Sequence, residues 1–398
     1  MVKKRHILFI VENNPVPQDV RVWAEAKTAH EYGYEVSIIC PRIDKSSSSR
    51  EKIDGIEIYR HFTPFEASGK YGFLLEYVNA IFWEFILSLW IFLKSPFQAI
   101  HSANPPDHVF MIAMFFKLFG VKYIFDQHDI CPENYVAKFQ KKDFLFKAML
   151  IMEKLSYRIS DIVISTNKSY RQIAITRGNK DAEKVFVVRN GPRLSSVNFV
   201  KPNPRLKEGF DYLVSYVGII GNQEGIDVLL RIVDNIVNKK NIYSIKFIVV
   251  GTGPHWKNMV SLSEELELKK FVEFTGYIPY FNLYEILSTS DLCVNPEYCN
   301  EFTDKSTMLK IMDYMTFGKP IVMFRTKEGS VTAGDSAVYI ENNSIVKFAD
   351  AIVDTLNNRS KRVQMGEFGK QRILNELNWD VQKRNLLKAY EYLDTNFS

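Results

Sequence analysis

Short runs of apolar and β-branched residues alternate with longer stretches of helical period along nearly the whole chain. The first half carries "HILFIVE", "EVSIICP", "AIHSAN", "YIFDQHD", "DIVIST" and "VFVVRNG". The second half carries "YLVSYVG", "KFIVVGTG", "VEFTGYI", "LCVNPE" and "PIVMF". Most of these runs are apolar throughout rather than at every second position, which suits strands buried on both faces. Helices between such strands cover those faces, so the pattern predicts parallel sheets. With 398 residues the chain is too long for one ordinary core. Each half reads as its own doubly wound α/β layer. Between them "NGPRLSSVNFVKPNPRLKEGF" is rich in Pro, Asn and Ser and lacks period, which places a linker at about residues 192–210. "DKSSSSREK" reads as a flexible loop inside the first half. In two facing sheets of this kind, ligands are expected beyond the carboxyl ends of the strands, in a cleft.

Composition narrows the function classes. A net charge of +5, with no long basic run, gives no sign of a nucleic-acid partner. Cys40, Cys131, Cys293 and Cys299 form no CxxC pair and show no metal-ligand spacing. Cys40 and Cys293 sit in apolar runs, and a reduced cytosolic compartment fits best. The apolar run of "MVKKRHILFIVENNP" is too short for a signal peptide and reads as a first strand. The longest apolar stretch, residues 73–93, is interrupted by Glu76, Asn79 and Glu84.

The residues after the strands carry the candidate chemistry. "DVRVWAEAKTAHEYG" reads as a helix closing on Gly33. Asp19 fits its N-cap and Arg21 its first turn, so both serve either as capping chemistry or at the cleft. His128 ends a strand on the ligand side, with Asp126, Asp129 and Glu133 close in sequence to orient and charge it. No second His lies at a metal-ligand spacing from it. In the second half, Gly218, Gly221 and Gly225, then Gly251 and Gly253, follow two strands. They read either as tight turns or as backbone brought close to a phosphate-bearing ligand.

The stretch "FTDKSTMLKIMDYMTFGKPIVMF", residues 302–324, is the most informative. Met308, Ile311, Met312 and Met315 recur at helical spacing. Asp304 or Ser306 is the expected helix cap. Lys305, Ser306 and Thr307 beside free N–H groups make an anion site. Asp313 lies eight residues beyond Lys305 in sequence, roughly 12 Å if both are helical. That span suits a diphosphate at one end and a ribose, held by the Asp313 carboxylate, at the other. The bland alternative is a surface pair between Lys310 and Asp313.

On "DVRVWAEAKTAHEYGYEVSIICP", "FDQHDICPENY", "VVRNGP", "YVGIIGNQEGIDVLL", "VVGTGP", "FTGYIP", "SDLCVNP" and "STMLKIMDYMTFGKPIV", the chain resembles the retaining glycosyltransferases of family 4. The resemblance covers nearly the whole chain and is similar to the branch that builds O-antigens, capsules and related cell-surface glycans. It implies a GT-B fold of two Rossmann-like domains. Those would be 1–195, completed by the C-terminal helix at 379–398, and 205–378. It implies transfer of a sugar from a nucleotide diphosphate donor, a UDP-sugar, to a lipid-linked sugar or glycan acceptor. Metal and other cofactors are not expected. His128 matches the residue facing the donor sugar, with Asp129 beside it. Tyr277 and Ile278 match the base contact. Gly221, Gly251, Gly253, Ser306, Thr307, Lys310 and Asp313 fall on the donor side, and Asp19, Arg21 and Glu133 on the acceptor side.

The chain departs from the family pattern in two places. The family commonly has two glutamates separated by seven residues, and here those places hold Lys305 and Asp313. Its diphosphate-gripping Arg and Lys are replaced by Ile219 and Glu224. Lys305, the helix start and Lys310 are the substitutes left to meet the diphosphate. Other readings on the same scaffold are a nucleotide-sugar epimerase or hydrolase, and a non-catalytic sugar-nucleotide binder. Residues 71–97 are aromatic, with Trp83 and Trp90, and Lys70 and Lys94 flank or end them. "KKDFLFKAMLIMEKLSYR" adds more Lys. Both pieces read either as core-covering helices or as faces docking on an anionic membrane surface. The second reading gives a peripheral protein on the inner face of the cytoplasmic membrane.

Overall fold

The structure is a computed structural model and describes residues 5–42, 47–62 and 69–396, with side chains over Tyr77–Thr395 in the last segment. The chain divides into two compact units, Met1–Asn190 with Gln382–Ser398, and Gly191–Val381.

The first unit holds β1 (His6–Val11), β2 (Glu35–Pro41), β3 (Arg50–Ile53), β4 (Ile56–His61), β5 (Ala99–Ala103), β6 (Lys122–Gln127), β7 (Ile162–Ser165) and β8 (Val185–Val187). They form one sheet in the order β3-β4-β2-β1-β5-β6-β7-β8. Every described pairing is parallel except β3 with β4. Every residue of β1, β5 and β7 is buried, as continuous apolar runs require when helices cover both faces. The helices are α1 (Val20–Glu31), α2 (Gly69–Lys94), α3 (Phe110–Lys117), α4 (Cys131–Phe139), α5 (Phe144–Ile159) and α6 (Lys168–Thr176).

The second unit holds β9 (Tyr212–Val217), β10 (Ile245–Val250), β11 (Val272–Gly276), β12 (Leu292–Asn295), β13 (Ile321–Phe324) and β14 (Ala337–Ile340). Their order is β11-β10-β9-β12-β13-β14, with parallel ladders throughout. This is the dinucleotide-fold order, with its topological switch between β9 and β12. Around it lie α7 (Ile226–Asp234), α8 (Trp256–Glu265), α9 (Tyr280–Thr289), α10 (Leu309–Thr316), α11 (Lys327–Ala333), α12 (Ile345–Asn357) and α13 (Arg359–Arg372). The final helix, α14 (Trp379–Asn396), begins in this unit and ends in the first. There the Tyr390 hydroxyl lies 3.0 Å from His101 Nδ1, and the Tyr34 hydroxyl donates to Asp394 at 2.6 Å. The two parallel α/β units confirm the expected fold class.

Several local expectations change. β3 and β4 were missed because their runs are short and half polar. The signal was Asp54-Gly55, where both residues have positive φ, as a tight hairpin needs. The tract read as a flexible loop therefore ends in strand, at Arg50–Lys52, while its residues 44–46 lie outside the described ones. The segment at 192–210 is no free linker. Leu194 and Leu206 pack on second-unit cores, and Trp379 N donates to Pro192 O at 3.1 Å.

Candidate functional sites

In the second unit, three loops meet where β9 and β12 part. Gly218 opens the loop after β9, with φ +153, and Gly251 follows β10, with φ +130. A Cβ on Gly251 would sit 1.9 Å from Gly218 O, so only glycine lets these two chains touch. Likewise a Cβ on Gly253 would sit 2.6 Å from Ile220 O. The glycines thus bring backbone to backbone. Gly221 instead lies against its own loop, where an added Cβ would meet Glu224 Oε2 at 2.7 Å.

Lys310 reaches from α10 into this junction. Its Nζ donates to the Tyr216 hydroxyl at 3.0 Å, lies 4.6 Å from that ring's centroid, and pairs with Glu297 just beyond β12. Burial lowers the pKa of Lys310, but the opposing Glu297 charge outweighs it and keeps Lys310 charged. Burial in turn raises the Glu297 carboxyl. Glu297 was absent from the sequence reading, because nothing in "NPEYC" pairs it with a lysine thirteen residues on. Tyr314 anchors the same helix, donating to Val294 O and accepting from Val217 N.

The stretch 302–324 is rebuilt by this geometry. The helix begins only at Leu309, with Met308 in the N-cap place and no side-chain cap. Asp304 and Ser306 are not its caps. Asp304 accepts from Lys327 N at 2.7 Å, and Ser306 donates to Phe302 O at 2.8 Å. Lys305, Ser306 and Thr307 therefore lie in the turn before the helix, and the helical spacing between Lys305 and Asp313 does not hold. Ile311, Met312 and Met315 are buried as expected, while Met308 packs beside them from outside the helix. Lys310 pairs with Glu297, so the surface pair with Asp313 is also excluded. Asp313 carries no ion pair among the described residues. It is exposed, yet surrounding protein holds back enough water to push its carboxyl up to about 7. Tyr277, after β11, is largely exposed, and Ile278 packs against the core beneath it. Ile219 is exposed, and Glu224 turns its carboxylate to the N–H of Gln223.

In the first unit the corresponding sheet ends hold an ionic cluster. Asp19 caps α1, accepting from Val22 N at 3.0 Å. Arg21 is buried, its side chain 8% exposed, and its fork spans Glu25 at 2.9 Å and Asp126 at 3.0 Å. It also donates to Val188 O and Asn190 Oδ1, both at 3.0 Å. Arg21 is thus a tie inside the unit rather than an open cleft residue. Despite full burial, Arg21 and His128 hold Asp126 well below the usual carboxylate range, while burial pushes Glu25 well above it.

His128 is half-buried at the end of this chain of contacts. Its Nε2 lies 2.5 Å from Asp126 Oδ2 and 2.9 Å from Arg21 Nε. With Nε2 protonated, Nε2–H donates to Asp126, which also accepts from Arg21 Nε at 3.3 Å; with Nδ1 protonated, Nε2 accepts from Arg21 Nε instead. In the first of these tautomers Nδ1 is left as the acceptor. Asn104 Oδ1 accepts from the backbone N–H of His128 and Asp129, holding the loop. Asp129 does not orient the imidazole, because its oxygens accept from Ile130 N and Asn134. Glu133 is spent on Arg177, at 2.7 and 3.2 Å. Of the three expected acidic partners only Asp126 touches His128. Glu25, Asp126 and His128 approach closely enough to hold a metal, but the Arg21 guanidinium already supplies the cation there.

A third surface comes from α2, α3 and α5. Phe82, Trp83, Ile86, Trp90 and Leu93 of α2 are exposed, as are Leu118 and Phe119 beyond α3, and Phe144 and Ile151 of α5. Tyr77–Lys94 has a mean hydropathy of 1.4, enough by length and composition to cross a membrane, with 22% of it buried. The interrupting Glu84 is wholly buried, 2.6 Å from His108 Nε2, so one face of α2 is committed to its own unit.

Two family patterns match the chain. The one described as Glycosyltransferase Family 4 matches residues 18–195, and the one described as Glycosyl transferases group 1 matches 211–358. A curated relative from Methanocaldococcus jannaschii, "Uncharacterized glycosyltransferase MJ1069", is 21% identical over 371 residues, 90% of each chain. Among solved structures, a sucrose-phosphate synthase from Thermosynechococcus elongatus aligns with a TM-score of 0.78 at 18% identity, covering 98% of this chain and 99% of the other. Anabaena Alr3699/HepE in complex with UDP-glucose aligns with a TM-score of 0.73 at 13% identity, covering 98% and 100%.

Proposed function

The chain belongs to the GT-B glycosyltransferases of the family 4 type, and from that premise we propose that it is a retaining enzyme using a UDP-sugar donor and a lipid-linked or glycan acceptor in cell-surface polysaccharide synthesis. The observation that carries the donor half of this reading is the Lys310–Glu297–Tyr216 junction beneath the glycine loops, at the switch point of a dinucleotide-type sheet. Gly218, Gly251 and Gly253 pack the loops after β9 and β10 tightly together at the strand ends, where this reading places the phosphates. Glu297 already neutralises Lys310, so Lys305 and the start of α10 supply the remaining positive potential toward the diphosphate. Tyr277 offers an exposed ring to the base, and Asp313 an exposed carboxylate to the ribose hydroxyls. The UDP-glucose complex of the structurally similar HepE supports the choice of donor. The transfer itself is read as metal-independent.

Incubating the purified chain with a donor panel and lipid-linked acceptors tests the proposal. Sugar transfer with the donor's anomeric configuration kept is expected. Acceptor-independent conversion would favour an epimerase or hydrolase, and binding without turnover a non-catalytic binder.

Asp313 gives a pH signature. Its carboxylate, not its neutral acid, accepts from two ribose hydroxyls. Donor affinity measured by calorimetry should therefore rise as pH rises through about 7 and then level off. Asp313→Asn should bind donor more weakly at pH 8 and lose that pH dependence. Unchanged affinity at pH 8 would remove the ribose role.

The exposed aromatic surface of α2, α3 and α5 supports docking at the interface of an anionic bilayer, on the cytoplasmic side where a lipid-linked acceptor would be presented. The chain should float with anionic liposomes, and less so in high salt. Trp83→Ser with Leu93→Ser should release it while leaving the fold intact, since both side chains are exposed. A protein that stays in the soluble fraction at low salt would argue that this surface does not meet lipid.

A further inference from the structure

A second cluster of acids and imidazoles in the first unit takes no part in the reading above. Glu12 follows β1, His61 is the last residue of β4, and Glu84 lies inside α2. One potential ligand atom from each lies within 4.8 Å of the other two. Their side chains are 7%, 0% and 0% exposed. His61 Nε2 and Glu12 Oε2 approach to 2.7 Å as a buried ion pair whose alignment falls short of a full hydrogen bond. Glu84 Oε1, wholly buried, has no hydrogen-bond partner, while its Oε2 lies 2.6 Å from His108 Nε2. A folded protein seldom leaves a wholly buried carboxylate oxygen such as Glu84 Oε1 unpaired unless something else satisfies it.

We propose that Glu12, His61 and Glu84 bind a divalent transition-metal cation of the zinc class, with His108 orienting Glu84 from outside the ligand set. Two carboxylates and one neutral imidazole balance a 2+ ion. An imidazole among the donors suits zinc better than magnesium or calcium, which take oxygen ligands. His108 Nε2–H donating to the far oxygen of Glu84 is the outer hydrogen bond that fixes a ligating carboxylate. The cluster at Glu25, Asp126 and His128 differs because Arg21 occupies it. The role assigned to the ion is structural. It ties the ends of β1 and β4 to α2, the helix whose other side carries the exposed tryptophans.

The test uses the full chain, stripped with chelator, dialysed and titrated with Zn²⁺ by calorimetry. Saturable uptake of about one equivalent is expected, with a Tm that climbs with the logarithm of free metal. Co²⁺ in place of Zn²⁺ should give the visible bands of an ordered site of low coordination number. Glu84→Gln should weaken Zn²⁺ binding at least about 10–100-fold, since losing even an outer partner costs that much. Glu25→Gln should leave it unchanged. Absence of saturable uptake by the wild-type chain would overturn the proposal and leave two buried His–Glu ion pairs. So would uptake that Glu84→Gln leaves intact, or uptake that Glu25→Gln abolishes.

Discussion

Replacing His128 with alanine should lower kcat by about 10²-fold or more in an enzyme that remains folded. In front-face transfer with retention, the departing phosphate oxygen can take the acceptor's proton, so no protein base is strictly needed. On the proposed function, the imidazole would serve instead as a preorganised partner beside the sugar. In the tautomer whose Nε2–H donates to Asp126 Oδ2, Nδ1 is the acceptor that the proposed role offers to a sugar hydroxyl. Asn104 holds the backbone of the same loop through the N–H groups of His128 and Asp129, independently of the imidazole. A role confined to the His128 carbonyl would therefore survive the substitution. Rates are to be measured with saturating donor and acceptor, so that the loss appears in kcat rather than KM. Near-wild-type turnover of folded His128→Ala would defeat the side-chain role. Asp126→Asn tests the same link from the other side, because an amide no longer holds the Nε2–H tautomer.

Arg21→Met should destabilise the first unit by roughly 3–5 kcal/mol, the usual loss when one partner of a buried ionic network is removed. Arg21 balances the buried Asp126 carboxylate, lies 2.9 Å from the Glu25 carboxyl, and also satisfies Val188 O and Asn190 Oδ1. Without it both acids lie buried with no guanidinium. The pH dependence has a definite sign. Asp126 has a depressed pKa in the native protein, so its contribution is present above the unfolded carboxylate pKa and lost as pH falls through the folded value. In the variant that contribution is gone at every pH. The stability gap in urea denaturation should therefore be widest near neutral pH and narrow on acidification. A gap below about 1 kcal/mol that does not change with pH would show the network to be solvated and dispensable. Arg21→Lys keeps the charge but loses the fork, and should fall between the two.

Much of the fold was legible because its evidence is local. Continuous apolar runs such as "HILFIV" and "PIVMF" can be satisfied only in sheets covered on both faces, and periodic stretches between them supply the cover. Asp19 as an N-cap and Gly33 as a helix stop were readable for the same reason, since capping is settled within a few residues. Asp54-Gly55 was equally local, and the short hairpin it closes was overlooked beside the longer runs.

The site was legible in its residue types and not in its pairings. His128, Asp126, Arg21 and Lys310 stood out in the sequence, but the partners that set their charge did not. Glu25 meets Asp126 and Lys310 meets Glu297 only because strands and helices distant in sequence end side by side. Asp129 and Glu133 were near His128 in sequence, yet Asn134 and Arg177 hold them elsewhere. The start of α10 shows the same limit. "DKST" has good capping chemistry, but Asp304 is drawn to Lys327 N and the helix waits until Leu309. Glu12, His61 and Glu84 have no ligand spacing at all, because each comes from a different element. The sequence by itself determined the two parallel α/β layers, the glycines after their strands and the family pattern, all of which depend on neighbours within a turn or a strand. Which charges meet was decided only by the tertiary structure, because burial and opposing charge depend on distance in space, and chain separation carries no information about that distance.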